Sequence, residues 1–371
     1  MRFLKENARR VVIKIGTNAL TGEGGHLLHE RITGLAARLA GIRRDGFEVL
    51  LISSGAVGMG IGRLGLGIRP SDLASLQACA AVGQSRLMEA WQSALEEHEL
   101  TAAQILLTRE DVRGRRRHLA IRNTLEKLLS YGAIPIVNEN DTVSADEIRF
   151  GDNDVLSALV ASLVKADLLI ILSTIPGLME DQGKGSLIPV VHEIDERIRS
   201  MAGGALNARS TGGMITKLEA AALATQSGCG TFIGSVADPT ILGEILEGTA
   251  TGTFFVPKSI SLAARKRWIA FFEKPLGDLH LDPGAVEAVV NKHRSLLAKG
   301  VTASDGSYCE GAVVNLRRPG GAIVARGIVS FDANTVARVL GKDSREISQI
   351  LPQRSRFELV HRDSLVLLRE R

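Results

Sequence analysis

The sequence predicts an α/β protein: a three-layer α/β/α sandwich with a mainly parallel sheet, followed by a small, mostly β barrel. Three observations carry this. Up to Phe255, short β-branched runs alternate with longer segments of helical period. That alternation, at that spacing, calls for parallel strands joined by right-handed crossovers. After Phe255 the apolar runs become short and are separated by Gly, Pro and Asp, which is the rhythm of a small barrel.

The strands are read in order at Val11–Ile15, Val49–Ser53, Ile134–Val137, Leu168–Leu172 and Thr231–Gly234, each mainly apolar, as strands covered on both faces are. Helical segments are expected at Glu30–Asp45, Asp72–His98, Arg116–Tyr131, Asp154–Lys165, Met214–Ser227 and Pro239–Glu247. The first domain is placed at residues 1–256. Residues 257–276 read as a linker with a short basic helix around Ala263–Phe272. From Gly277 onward come the short runs DLHLD, GVTAS, AVVNLRR, AIVARGIVS, FELVHRD and LVLLRER, with one helix at Asn334–Leu340, and a second domain is placed at 277–360. Sheets of the first kind bind ligands at the carboxyl ends of their strands, so the chemistry is sought at the strand tips.

Composition narrows the function classes. The chain has 371 residues, 39 of them glycine, and only 4% aromatic residues, which favours glycine-loop chemistry on small charged molecules over base stacking. Of the net charge of +4, three units belong to residues 277–371, which carry 14 Lys and Arg against 11 Asp and Glu. The larger part is almost neutral, so charge does not call for nucleic acid except as a question about the tail. Cys79, Cys229 and Cys309 form no CxxC pair, and neither a disulfide framework nor a zinc site is expected. No apolar stretch has the length of a signal or membrane segment, and the chain reads as a soluble cytoplasmic protein with no membrane partner.

Four strand tips carry candidate chemistry. Lys14 leaves the first strand beside Gly16, where its ammonium and nearby N–H groups can meet a phosphate. Ser54 and Gly55 follow the second strand in SSGAVGMGIGRLG and can hold an anionic group. Gly60, Gly62 and Gly65 spell GxGxxG, but they come too late for a tight strand-to-helix turn and no acidic residue stands at a second strand end about 20 residues on, so no dinucleotide site is expected; Gly55–Gly65 is read instead as a phosphate-facing loop. After the third strand, Asp141, Asp146, Glu147, Asp152 and Asp154 crowd together with Asn138, Asn140 and Asn153, a set suited to an amino group or a hydrated metal. Finally, STGGMITK puts glycines before a helix with Lys217 in its first turn, an arrangement that suits a nucleotide phosphate. The basic run Arg113–His118 and the histidines His26 and His192 read as solvated surface. There is no GxSxG, HExxH or P-loop motif.

With IKIGT, ISSGAVGMG, AAVGQSRLMEAW, QILLT, NENDTVSADEIRFGDNDVLSAL and STGGMITK in order, the chain resembles the glutamate 5-kinase branch of the amino acid kinase family, and its tail resembles a PUA domain. The resemblance implies ATP-dependent phosphorylation, with Mg²⁺, of the side-chain carboxylate of L-glutamate, the first step of proline synthesis. It places Lys14 on the phosphates and Ser54, Asp141 and Asn153 on the glutamate, and it gives Asp154 the task of organising the lysines. It places Ser173 and Thr174, together with Thr211, Gly212, Gly213, Met214, Ile215, Thr216 and Lys217, on ATP, with Lys217 near the transferring phosphate. Where the family has a Thr-Asp pair after the fourth strand, this chain has Ser173 and Thr174, which points to altered nucleotide affinity or base preference. The family further implies a dimer or tetramer, L-proline as feedback inhibitor, and hand-over of the acyl phosphate to glutamate-5-semialdehyde dehydrogenase. The alternatives are another carboxylate kinase of the same fold, separable by a substrate panel, or an RNA-binding protein acting through the PUA domain, separable by salt-dependent binding of tRNA.

The chemistry fits what is missing. A carboxylate is an anion at pH 7 and needs no general base to attack phosphorus. It needs its charge and that of the phosphates offset, and in-line placement.

Overall fold

A computed structural model describes residues 8–22, 28–113, 115–143, 153–183, 185–202, 213–238, 240–258, 275–354 and 357–368, together with 266, 269 and 273. Contacts divide the chain into two units, Met1–Ser261 and Leu262–Arg371.

In the first unit the elements run β1 (Arg10–Ile15), α1 (Thr17–Leu20), α2 (His29–Arg44), β2 (Glu48–Ser53), α3 (Ala56–Arg63), α4 (Leu73–Glu96), β3 (Ala102–Leu107), α5 (Arg109–Arg113), α6 (Arg115–Ser130) and β4 (Ile134–Glu139). They continue as α7 (Asn153–Leu163), β5 (Leu168–Ser173), β6 (Val190–Val191), α8 (Glu196–Met201), α9 (Met214–Gln226), β7 (Gly230–Ser235), α10 (Ile241–Glu247) and β8 (Thr253–Phe255). The sheet has eight strands in the order β3-β4-β2-β1-β5-β7-β8-β6. All ladders are parallel except β7 against β8. The five expected strands are present, each a residue or two longer than its apolar run. Three more, β3, β6 and β8, were not expected as strands. Their short or half-exposed runs lack the uniform apolar character that marks a central strand.

Burial explains the middle of the sheet. Val11, Val12, Ile13, Ile15, Leu50, Leu51, Ile52 and Leu168 to Leu172 have no exposed surface, so helices cover both faces. The six expected helices form, with no end shifted by more than two residues. The start of α4 is fixed by Asp72, whose carboxylate accepts from the Ser75 N–H.

The glycine stretch after β2 overturns the loop reading. Gly55 takes φ +113°, a left-handed conformation that favours glycine, and the chain then enters α3 at Ala56. Gly60 lies on α3 and Gly83 on α4. A Cβ on Gly60 would fall 1.8 Å from the Cys79 carbonyl oxygen, and one on Gly83 would fall 1.7 Å from that of Ala56. These two glycines let two helices cross backbone to backbone, which is a packing role.

The second unit runs β9 (Gly277–Leu281), α11 (Pro283–Val286), β10 (Leu296–Leu297), β11 (Val301–Gly306), β12 (Val313–Arg317), β13 (Ile323–Val329), α12 (Ala333–Val339), α13 (Ser344–Ile350) and β14 (Glu358–Leu367). Its six strands follow the order β10-β14-β13-β12-β9-β11 around a separate core that includes Leu279, Val289, Leu316, Val336 and Leu359. FELVHRD and LVLLRER, read as two runs, are one strand. A register shift against β13, at Gly327 to Val329, absorbs the polar break at Asp363 and Ser364. The helix α13, which the sequence did not mark, is set by a capping box in which Asp343 and Glu346 exchange bonds with each other's backbone N–H groups. The basic helix expected around Ala263–Phe272 lies outside the described residues except at 266 and 269.

Candidate functional site

Parallel pairing brings the strand tips level. Lys14 stands opposite Ile52 of β2 and Ile171 of β5, so the residues just beyond, Gly16, Ser54 and Ser173, gather at one end of the sheet. Backbone bonds tie these tips together: the Gly16 N–H donates to the Leu172 carbonyl at 3.4 Å and the Ser54 N–H to that of Ile15 at 3.2 Å.

Two helices aim their first turns at the same end. Asp154, in the first turn of α7, has no exposed surface. Its Oδ1 lies 2.6 Å from Lys14 Nζ and its Oδ2 lies 3.1 Å from Lys217 Nζ of α9. Both lysine side chains are almost fully buried, at 5% and 3% exposure. One carboxylate therefore holds two ammonium groups side by side at the tips of β1 and β5. The Thr216 hydroxyl joins them, 3.2 Å from Asp154 Oδ2 and 2.8 Å from the Gly213 carbonyl. Gly213 caps α9 without a side-chain bond, which leaves the first N–H groups of the helix directed at the same space. The cluster holds two positive charges against one negative, so it is removal of Asp154 that would leave two buried ammonium groups without the carboxylate that bridges them, a loss that costs several kcal/mol in such settings.

Beside this cation pair lies a buried amide network. Asn153 Nδ2 donates to Ser54 Oγ at 2.9 Å, to Asn138 Oδ1 at 2.7 Å and, more distantly, to the Ser53 carbonyl at 3.4 Å. Because Ser54 Oγ accepts here, its own proton is free to be donated outward, as an anionic ligand would require. Asn138 Nδ2 donates in turn to Gln84 Oε1 at 2.8 Å. The Trp91 indole N–H donates to Ser53 Oγ at 3.0 Å. Gln84 and Trp91, two turns apart on one face of α4, thus bind the tips of β4 and β2.

Asp141 follows β4 and is partly buried. Burial pushes its carboxyl up to about 6, against the opposing pull of Arg69. Ser173 ends β5 opposite Ser235, and its carbonyl accepts from the Val236 N–H at 2.8 Å; Thr174, next in the chain, is exposed. Thr211, Gly212, Asp146, Glu147, Asp152 and His26 lie outside the described residues. Gly213, Met214, Ile215, Thr216 and Lys217 are described, with Ile215 half exposed. The sequence reading did not single out Gln84, Trp91 and Ser53. The signal was available: Gln84 and Trp91 recur seven residues apart among the apolar positions of a long helix, where a buried amide needs a partner.

Among the described residues no group of three His, Cys, Asp or Glu side chains is placed to hold a metal ion, and no described helix is long and apolar enough to cross a membrane.

Residues 9–235 match the model of the amino acid kinase family, and residues 277–351 match the PUA domain model. The chain belongs to the amino acid kinase family. Amino acid kinase relatives extend over its full length: a glutamate 5-kinase of Myxococcus xanthus is 44% identical over 99% of this chain and 98% of its own. One from Thioalkalivibrio sulfidiphilus is 46% identical over 97% of each chain. A solved carbamate kinase from Giardia lamblia, described as bound to AMP-PNP, overlays 68% of this chain and 99% of its own at 18% identity and a TM-score of 0.49. The amino acid kinase assignment rests on the sequence matches.

Proposed function

We propose that this chain transfers the γ-phosphoryl group of ATP to the side-chain carboxylate of L-glutamate, yielding L-glutamyl 5-phosphate and ADP, the first step of proline synthesis. The observation that carries the reading is the pair of buried ammonium groups, Lys14 and Lys217, held 2.6 and 3.1 Å from the two oxygens of Asp154 at the strand tips. Glutamate 5-kinase relatives at 44–46% identity over nearly the whole chain support the choice of substrate.

In this reading a γ-carboxylate oxygen attacks the γ-phosphorus, the bond to the β,γ-bridging oxygen breaks, and the electron pair leaves with ADP. No proton has to be removed from the nucleophile, which agrees with a site whose central carboxylate is fully engaged by lysines. Lys14 and Lys217 offset the charge of the two approaching anions and of the phosphoryl group in flight. The first turn of α9, with Gly213, Met214, Ile215 and Thr216, presents N–H groups to the phosphates, and Thr211 and Gly212 complete that segment. Ser173 and Thr174 border the nucleotide. Ser54 and Asn153 hold the glutamate through donors and an amide oxygen, and Asp141 takes its ammonium group.

Mg²⁺ would be brought in with the triphosphate, as this cation commonly is in phosphoryl transfer. When bound, it neutralises phosphate charge. The proposed domains are a kinase domain at residues 1–256, a linker at 257–276 and a PUA domain from 277, whose end, read from the sequence as 360, extends to Leu367 so as to take in all of β14. Further parts of the proposal are an oligomeric cytoplasmic enzyme, inhibited by L-proline, that passes its labile product to glutamate-5-semialdehyde dehydrogenase.

Glutamate-dependent release of ADP from Mg-ATP, with the acyl phosphate trapped as a hydroxamate, tests the reaction. Equal turnover with aspartate or N-acetylglutamate, or none with glutamate, would overturn it.

A further inference from the structure

The amide network has a direction, and Gln84 stands at its end. The Ser53 carbonyl can only accept, so the Asn153 amide must turn Nδ2 toward it and toward Ser54 Oγ and Asn138 Oδ1. With Asn138 Oδ1 thus occupied at 2.7 Å, its Nδ2 faces Gln84 and finds Oε1 at 2.8 Å. Each amide orientation follows from the previous one, because flipping any member would set donor against donor or acceptor against acceptor. Gln84 Nε2 is left over, buried and with no hydrogen-bond partner among the described residues. A buried donor without a partner costs free energy, so the orientation of this side chain is dictated by what Oε1 does for Asn138.

The fold supplies the reason that a helix side chain can reach this point. Gly83 has no Cβ and lets α4 close on the Ala56 carbonyl, which brings the neighbouring Gln84 against the tip of β4. Trp91, two turns on, fixes the same face of α4 to Ser53 Oγ at 3.0 Å. Gln84 is 9% exposed and Asn138 3%, so water does not readily replace the bond between them.

We propose that Gln84 is a positioning residue for the amino acid substrate. Its Oε1 holds Asn138, Asn138 holds the Asn153 amide, and the Asn153 amide is thereby set with Nδ2 inward and Oδ1 available to a ligand. This rests on the glutamate reading of the Ser54 and Asn153 site given above. The role is one of orientation: Gln84 acts through Asn138 and does not touch the reacting atoms.

The test compares Gln84→Met and Gln84→Glu in the full-length enzyme, after wild-type turnover with glutamate has been recorded. Gln84→Met keeps the volume and removes the acceptor. It is expected to raise the KM for glutamate about tenfold, the size expected for one lost hydrogen bond between buried groups, with kcat and the KM for ATP changed by less than about twofold. Gln84→Glu keeps an oxygen facing Asn138 and removes the unpartnered donor, so its KM for glutamate is expected within about threefold of wild type, well short of the full loss of that bond. A donor contacting substrate directly would give the opposite order, with Gln84→Glu the more damaged, and that result would overturn the proposal. Wild-type KM for glutamate in a folded Gln84→Met would also overturn it. Should thermal melting show Gln84→Met unfolded, Gln84→Glu decides alone: a preserved KM supports the role and a tenfold rise refutes it. Absence of any glutamate-dependent turnover in wild type would refute the substrate reading itself, a result distinct from failure of either variant.

Discussion

At the scale of single residues, the site depends on where charge is placed in a dry environment. Asp154 is fully buried and spans Lys14 and Lys217 with its two oxygens. Replacing it by asparagine removes the charge that holds both ammonium groups, and kcat is expected to fall by about a hundredfold or more, in line with the loss of a preorganised donor. Asp141 behaves differently, because burial has raised its carboxyl to about 6. Above that pH it is ionised and attracts an ammonium group; below it the attraction is lost. The KM for glutamate is therefore expected to rise as pH falls through 6, and the rise should vanish in Asp141→Asn, which binds weakly at every pH. Stability runs the other way. The native state holds this proton more tightly than the unfolded chain, so Asp141 lowers stability as pH rises from about 4 toward 6. Thermal melts at pH 7 should show Asp141→Asn slightly more stable than wild type. Lys14, Lys217, Asp154 and Asn153 were legible in the sequence because each sits at a strand tip or helix start, a place the alternation of elements already marks. Gln84 was not, since its role arises only when α4 meets β4 across fifty-four residues of chain.

At the scale of elements, the crossing of α3 and α4 shows how a motif can mislead. Spacing alone made Gly60, Gly62 and Gly65 a GxGxxG string in a loop, yet Gly60 and Gly62 lie on a helix and Gly60 serves close approach. The sequence contains the glycines of both helices but not their mutual distance, so the reading as a loop had nothing to correct it. Gly83→Ala forces a methyl into a backbone carbonyl. Overpacking of this kind costs about 1–3 kcal/mol, and a rigid backbone contact at 1.7 Å belongs at the upper end. A melting temperature lowered by several degrees, with a raised KM for glutamate as Gln84 shifts, is the expected outcome; an unchanged melt would show the helices free to part. The central strands were legible because they are apolar on both faces. β3, β6 and β8 escaped because strands at or near a sheet edge carry mixed burial and resemble ordinary loops.

At the scale of the whole molecule, each of the two contact units has its own core, and every candidate site residue from Lys14 to Lys217 lies in the first. A chain ending at Ser261 is expected to fold and to keep glutamate-dependent ADP release within about tenfold of the full chain, since none of the buried ion pairs or amide bonds described for the site comes from the second unit. The small positive excess of residues 277–371 is then a property of the second unit alone, to be tested apart from the chemistry. The central claim is that two buried lysines, aligned by one carboxylate, drive phosphoryl transfer onto glutamate. It is tested most directly by measuring glutamyl hydroxamate formation from Mg-ATP and glutamate in wild type and in Lys217→Ala, each shown by melting to be folded. The account predicts steady product from wild type and a fall of about a hundredfold or more in kcat for Lys217→Ala, whereas near-normal turnover by Lys217→Ala would contradict it.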